Sequence, residues 1–174
     1  MATFRLTERG FVLAMLGLVV GLIFAALIFD LTAPIGPGPL VAFLLVSIAA
    51  FEAYRRGFDR SRFAVIFFAA VLYPLVEQEP YLSSLPNIAL VTPAAITVAM
   101  ASARWVFFAS FAPWLIVVAR SGWGGIHTQP VVVMVLFTAG ASMTLGRYLM
   151  DRALFAEQTA RAEAEAERDR AREA

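Results

Sequence analysis

The sequence predicts an all-α membrane protein, a polytopic bundle of about six transmembrane helices followed by a charged C-terminal helix. Of its 174 residues, 60% are hydrophobic and 16% are charged, and the mean hydropathy is +0.76. Soluble domains have fewer apolar residues and about a quarter charged ones. The apolar residues also form runs of about 20, the length that a helix needs to cross the hydrocarbon core of a bilayer. The lipid bilayer is therefore the first predicted partner.

Six segments meet this length, with approximate bounds of 10–31, 38–54, 62–79, 86–102, 104–120 and 129–148. The first is predicted to be a retained helix, because a cleaved signal peptide has a shorter apolar core and a small-residue cleavage site. A short Arg-marked connection, Ala101 to Arg104, predicts a tight hairpin between the fourth and fifth segments. One helix over both would be about 50 Å long, which is more than a bilayer needs.

The arginines predict the orientation of the chain. Every one of the 14 basic residues is an arginine, and the absence of lysine excludes a retinal Schiff base. Most arginines near the spans lie on segments that would face the same side of the membrane, namely Arg5, Arg9, Arg55, Arg56, Arg60, Arg62, Arg104 and Arg147. Arg120 would face the other side. By the positive-inside rule, both termini of this multi-pass chain are predicted to be cytoplasmic.

Several classes of protein are excluded by missing residues and motifs. With no cysteine, the chain has no disulfides, thiolate metal sites or thiol catalysis. It has no HExxH, GxSxG or Walker sequence. We therefore predict that these residues are not themselves an enzyme and that they bind no nucleic acid. The composition does not identify a cofactor.

Aromatic residues gather in the third and fifth segments, where they could line a pocket for an apolar small molecule. The candidate lining residues are Phe67, Phe68, Tyr73, Trp105, Phe108, Phe111 and Trp114. Pro74, Pro93 and Pro113 lie inside predicted spans, and kinks at these prolines would open space between helices. Interfacial and lipid-facing positions account for the same aromatic residues without a ligand, so both interpretations stay open.

Polar residues at the predicted outer ends of the spans form a candidate cation site. These residues, which begin or end different spans, are Asp30, Glu77, Glu79 and His127. Carboxylate and imidazole groups suit Zn²⁺ or a related cation, and Arg120 could bind or balance an anion there. The alternative is that they are ordinary interfacial polar residues.

The C-terminal segment is predicted to be a long helix that leaves the membrane. From Ala156 to Ala174 it consists almost entirely of Ala, Glu and Arg, which are strong helix formers. With no break after Tyr148, the last span is expected to continue into it, which divides the chain into a transmembrane domain at 1–148 and a cytoplasmic helix at 149–174. A seam of small residues predicts a weak parallel coiled coil, and its apolar members are Met150, Ala153, Ala160, Ala164 and Ala171.

Small residues in the membrane helices permit close approach between helices. Gly17 and Gly21 form a GxxxG pair, and Gly140 and Gly146 lie in the last span. Such residues serve packing within one bundle as well as dimerisation. A homodimer through the last span and the cytoplasmic helix is the predicted assembly.

The chain resembles the six-helix membrane-associated sensor domains of bacterial signalling proteins. The features that carry the resemblance are the run from Pro80-Tyr81-Leu82 to Pro93, the turn Ala103-Arg104-Trp105, the apolar span after it and the charged tail Ala160 to Ala174. Those domains precede histidine kinase, PAS, diguanylate cyclase or adenylate cyclase modules, as in two-component systems. The resemblance implies a membrane sensor and anchor that couples a ligand or periplasmic cue through its last helix to a cytoplasmic output module.

Two other functions remain open on the sequence. Six-helix membrane subunits of this size also bind vitamins or metals for transport, although such a subunit predicts a short soluble tail. A structural membrane protein that recruits a partner through a coiled coil would need no pocket at all.

Overall fold

The computed structural model describes residues 8–29, 36–84 and 88–173. All regular secondary structure within these ranges is helical, which confirms the all-α prediction. The α-helices are α1 Glu8–Ile28, α2 Pro37–Arg55, α3 Arg62–Phe67, α4 Tyr73–Val76, α5 Thr92–Met100, α6 Ala103–Arg120 and α7 Pro130–Glu173. A π-helix, Phe68–Leu72, joins α3 to α4, and short 3₁₀-helices, Asp59–Ser61, Ile88–Val91 and Ile126–Thr128, precede α3, α5 and α7.

Four of the helices, α1, α2, α6 and α7, are long and apolar enough to cross a membrane. They lie at the positions of four of the predicted spans. The other two helical segments, 62–76 and 88–100, coincide with the third and fourth predicted spans, but each reaches only about 22 Å. The hydrocarbon core is about 30 Å thick, so membrane-compatible length is established for four helices and not for six.

The π-helix between α3 and α4 lies directly before Pro74. The amide of Tyr73 donates to the carbonyl of Phe68, five residues earlier. In a regular α-helix the ring of Pro74 would collide with the carbonyl of Ala70, and the wider π turn relieves this contact. Pro74 therefore distorts the helix, as the sequence predicts.

The other two prolines differ from Pro74. Pro93 lies in the first turn of α5, directly after the 3₁₀-helix Ile88–Val91, a position that proline favours at the start of an α-helix. A kink at Pro93 stays a prediction. Pro113 does lie inside a helix, and α6 runs through it from Ala103 to Arg120.

The core is built from single stripes of side chains on α1 and α2 that face each other and the 62–76 segment. On α1 the buried residues recur every three or four positions, at Val12, Leu16, Val19 and Ile23. On α2 they do the same, at Leu40, Phe43, Ser47, Ala50 and Tyr54. The rings of Phe43 and Phe68 stack with their centroids 4.8 Å apart, which joins α2 to the π-helix.

Helices α6 and α7 approach each other closely at Gly140. A Cβ atom added there would lie 2.8 Å from the Cβ of Ser110, a distance that real atoms do not reach. Gly146, two turns further along α7, has nothing within 4 Å of the same added atom. Of these two glycines, Gly140 serves packing within one chain and Gly146 faces open space.

The last helix is continuous from Pro130 to Glu173. It has 44 residues, which corresponds to about 66 Å. Since about 20 residues suffice to cross a bilayer, α7 is about twice as long as a single crossing needs. The helix passes through Tyr148 without interruption, as the sequence predicts.

Candidate functional site

Two ends of the bundle carry its polar contacts. At the inner end lie Arg9, Arg62, Met100 and Arg147, and at the outer end lie the loops 77–84 and 121–129. The names follow the orientation that the arginines predict. The inner end is where α7 leaves the bundle, so it is the place where the bundle could influence the projecting helix.

Arg147 and Asp151, which we call the clasp, attach α7 to the turn between α5 and α6. The Nη1 of Arg147 donates to the carbonyl of Val98 at 3.1 Å, and its Nε lies 2.9 Å from Oδ1 of Asp151. The other oxygen of Asp151 accepts from the amide of Ala103 at 3.2 Å. One ion pair on α7 therefore contacts both sides of the α5–α6 turn.

Helix ends explain why these two residue types hold the turn. The last carbonyls of α5 and the first amides of α6 lack partners within their own helices. A guanidinium satisfies a carbonyl at the C-terminal end of α5, and a carboxylate satisfies an amide at the N-terminal start of α6, each with favourable charge for the helix dipole. The side chains of Arg147 and Asp151 are only 17% and 32% exposed, so water screens them less than a surface pair.

A second inner contact joins α1 to α2. The guanidinium of Arg9 donates to the carbonyls of Tyr54 at 3.2 Å and Arg55 at 3.3 Å, at the end of α2. Beside it, Glu52 accepts from Arg55 at 2.7 Å and from Arg56 at 2.8 Å. Two of the arginines that set the predicted orientation, Arg9 and Arg147, thus also donate to carbonyls at helix ends.

At the outer end, the loop after α4 packs against the loop before α7. The amide of Ile126 donates to the carbonyl of Ser83 at 2.9 Å, and Nε2 of His127 donates to the carbonyl of Tyr81 at 2.9 Å. The indole of Trp114 donates to the carbonyl of His127 at 3.0 Å. Three hydrogen bonds therefore fix the two loops to each other and to α6.

Arg120 contacts backbone carbonyls at the outer end, and an anion contact there stays a prediction. Its Nη1 donates to the backbone carbonyls of Pro74 at 2.9 Å and Glu77 at 2.8 Å. These carbonyls end the 62–76 segment, so Arg120 caps that helix from α6. An arginine on the side opposite to the others is explained by this structural contact.

The candidate cation residues are not gathered into a site in the described part of the chain. Among those residues no group of three or more His, Cys, Asp or Glu side chains could hold a metal ion. Glu77 and His127 are buried, whereas Glu79 is exposed and accepts from the hydroxyl of Ser83 at 2.8 Å. Asp30 lies outside the described residues, so a site that includes it stays a prediction.

The seven candidate pocket aromatics fall into separate groups. Trp105 lies between Phe63 and Phe108, with ring centroids 4.6 and 5.9 Å away. The rings of Phe111 and Trp114 instead contact Phe137 of α7, at 4.8 and 5.5 Å. These two groups lie on successive turns of α6, one against Phe63 of α3 and the other against Phe137 of α7.

The remaining pocket candidates also differ from one another. Phe68 is buried against Phe43, Tyr73 is partly buried, and Phe67 is 50% exposed on the outside of the bundle. Phe111 lines an apolar groove of about 400 Å³ between α6 and α7. A ligand pocket formed by all seven residues stays a prediction.

The seam residues of the last helix are accessible. Met150, Ala153, Ala160, Ala164 and Ala171 are all exposed in the single chain. The same stretch carries exposed Leu149, Leu154 and Phe155. A partner helix could therefore approach α7 along this seam.

Comparisons with protein-family models, with curated proteins and with solved structures find no match to this chain. Function is therefore inferred from the geometry of the chain alone. The clasp is the feature that sequence patterns missed, because Arg147 was noted only for its charge and Asp151 not at all. The sequence feature that could have indicated it is an arginine and an aspartate four residues apart at the end of the last apolar span.

Proposed function

We propose that this chain is the membrane sensor and anchor region of a signal-transduction protein. In this proposal the chain crosses a bacterial inner membrane six times with both termini in the cytoplasm. A ligand or periplasmic cue changes the bundle, and α7 passes the change to a cytoplasmic output module. The observation that carries the proposal is that one continuous helix leaves the bundle while the clasp ties it to the α5–α6 turn.

The outer loops offer a place where a cue could act. The 77–84 and 121–129 loops are joined to each other by hydrogen bonds, and the first residue of α7 follows directly after the second loop. A change at the outer loops would therefore reach the start of α7. The same helix meets the clasp about five turns later, where its position relative to α5 and α6 is fixed.

Signal transfer needs two arrangements of α7 that differ by a few kcal/mol. The clasp supplies one defined arrangement, since it is made of three specific contacts. Beyond it, the small and charged residues of the seam give only weak pairing between two copies. A weakly paired helix responds to a modest change at the clasp, which a strong zipper would resist.

Cysteine cross-linking in membranes tests the proposal, and the chain has no native cysteine to interfere. Single cysteines at Met150, Ala153, Ala160, Ala164 and Ala171 are expected to form disulfide-linked dimers. The matched controls Ala162→Cys and Ala166→Cys lie off the seam and are expected to cross-link less. Adding Asp151→Asn to the seam variants should shift which positions cross-link best, because the substitution removes the ion pair with Arg147 and weakens the acceptor for the amide of Ala103.

Two results would count against signalling through α7. Equal cross-linking at seam and control positions would mean that the helix has no defined partner face. A seam pattern that Asp151→Asn leaves unchanged would mean that the clasp does not control the helix.

A further inference from the structure

A groove opens at the inner end of the bundle, between the beginning of α1 and the part of α7 around the clasp. Its volume is about 590 Å³. Apolar side chains from α1, α5 and α7 form much of its wall, namely Phe11, Val12, Met100, Met150, Leu154 and Phe155. The groove is separate from the aromatic pocket and the cation site that the sequence indicated.

The polar part of the groove has two charges of each sign. Arg62 and Arg147 are opposed by Glu8 and Asp151, so the four formal charges cancel. Arg147 and Asp151 are already engaged with each other and with the α5–α6 turn. The guanidinium of Arg62 and the carboxylate of Glu8 are therefore the groups that a ligand would meet.

Arg62 has an unused hydrogen-bond donor. Its Nε is buried and has no acceptor within the described residues. A buried donor without a partner costs free energy, and an arginine gains most from oxygen atoms that bind two of its N–H groups at once. A small turn of the guanidinium toward a phosphate in the groove would remove this cost.

We propose that the inner groove binds a phospholipid of the inner leaflet whose headgroup carries both a phosphate and a primary ammonium group, as phosphatidylethanolamine does. The phosphate lies at Arg62 and the ammonium group lies at Glu8. The part of the acyl chains next to the headgroup lies along the apolar wall. A groove without net charge favours a headgroup without net charge over an anionic one. A choline headgroup fits less well, because its quaternary nitrogen has no N–H to donate to Glu8.

This proposal depends on the membrane placement proposed above and not on the signalling role. The lipid would contact α1, α3 and α7 on both sides of the clasp. It would therefore hold the first turns of the projecting helix against the bundle, and the local lipid composition would affect the same helix position that the clasp controls.

Lipid retention tests the proposal on the full 174-residue chain. The chain is reconstituted into nanodiscs that contain equal amounts of phosphatidylethanolamine, phosphatidylglycerol and phosphatidylcholine with identical acyl chains. It is then extracted in mild detergent, and mass spectrometry measures the lipid that remains bound. We expect phosphatidylethanolamine to be enriched about threefold, a preference of modest free energy.

Variants separate the parts of the site. Arg62→Gln is expected to abolish the enrichment, whereas Arg60→Gln, an exposed arginine outside the groove, should leave it unchanged. Glu8→Gln should equalise the ethanolamine and choline lipids. Gln158→Trp fills the groove from the exposed side of α7 and should reduce retention without removing a charge, even if Arg62→Gln fails to fold.

Retained lipid with the composition of the bilayer would overturn the proposal. So would enrichment of phosphatidylglycerol above phosphatidylethanolamine, or a Gln158→Trp variant with wild-type enrichment. Flotation of the chain with membrane vesicles checks the membrane placement separately, so the two failures can be told apart.

Discussion

Gly125 lies in the outer loop just before α7 and has backbone angles that residues other than glycine rarely adopt. Its φ is +80°, and an added Cβ would lie 2.7 Å from the carbonyl oxygen of Ser83. That oxygen also accepts from the amide of Ile126. A side chain at this position is therefore disfavoured both by the backbone angle and by the packing of the two outer loops.

We predict that Gly125→Ala lowers the free energy of unfolding by about 2 to 4 kcal/mol, from the left-handed conformation and the displaced loop together. Gly122→Ala is the matched control, because Gly122 has a φ of +70° but nothing within 4 Å of the added atom. It should cost about 1 kcal/mol. Unfolding by SDS titration in mixed micelles measures both, and equal losses would contradict the close loop contact.

For single residues, the sequence indicated which polar side chains matter at the outer end. It did not indicate which groups those side chains contact. Arg120 and His127 were expected to face ions, and the structure has both donating to backbone carbonyls. The donors and acceptors lie about 45 residues apart in the chain. No local pattern records which helix end or loop a polar side chain will reach.

Helix α7 depends on two contacts that the structure defines, the close approach at Gly140 and the clasp. Gly140→Leu is predicted to push α7 away from Ser110 and to lower the free energy of unfolding by about 1 to 3 kcal/mol. Gly146→Leu gains the same helix propensity but meets open space, so it should not destabilise the protein. If both variants unfold alike in SDS, α6 and α7 do not approach at Gly140.

The clasp is predicted to restrict the motion of α7. Arg147→Gln removes the donor to the carbonyl of Val98 and the cation paired with Asp151, at a cost of about 1 to 3 kcal/mol. Arg161→Gln breaks an exposed pair with Glu157 on the same helix and should cost under about 0.5 kcal/mol. A spin label on Ala153→Cys should become more mobile with Arg147→Gln and not with Arg161→Gln. Equal mobility in the two variants would contradict the clasp.

The positions of the helices could be predicted from the lengths of the hydrophobic runs. Their departures from regular α-helical geometry could not. Each of the six predicted segments overlaps a helical segment among the described residues, because run length and the need to satisfy backbone groups in a bilayer fix position. The π-helix before Pro74 and the 3₁₀-helix before Pro93 interrupt the regular α-helical geometry of the third and fourth segments. These distortions come from local backbone geometry, which hydropathy does not contain.

At the scale of the whole molecule, the two short segments decide how often the chain crosses the membrane. Four crossings by α1, α2, α6 and α7 would leave the 77–84 loop on the cytoplasmic side. The hydrogen bonds of that loop to the 121–129 loop favour six crossings, since the second loop connects α6 to α7 at the outer end. Two short helical segments can cross if bundle residues satisfy the backbone at their ends, as Arg120 does for Pro74 and Glu77.

The most direct test of this account uses the three glutamines of the chain, Gln78, Gln129 and Gln158. Each is replaced singly by cysteine, and intact cells are treated with a membrane-impermeant maleimide. Six crossings with α7 ending in the cytoplasm predict that Gln78→Cys and Gln129→Cys react in intact cells and Gln158→Cys reacts only after permeabilisation. Protection of Gln78→Cys while Gln129→Cys reacts would mean four crossings and would contradict the account.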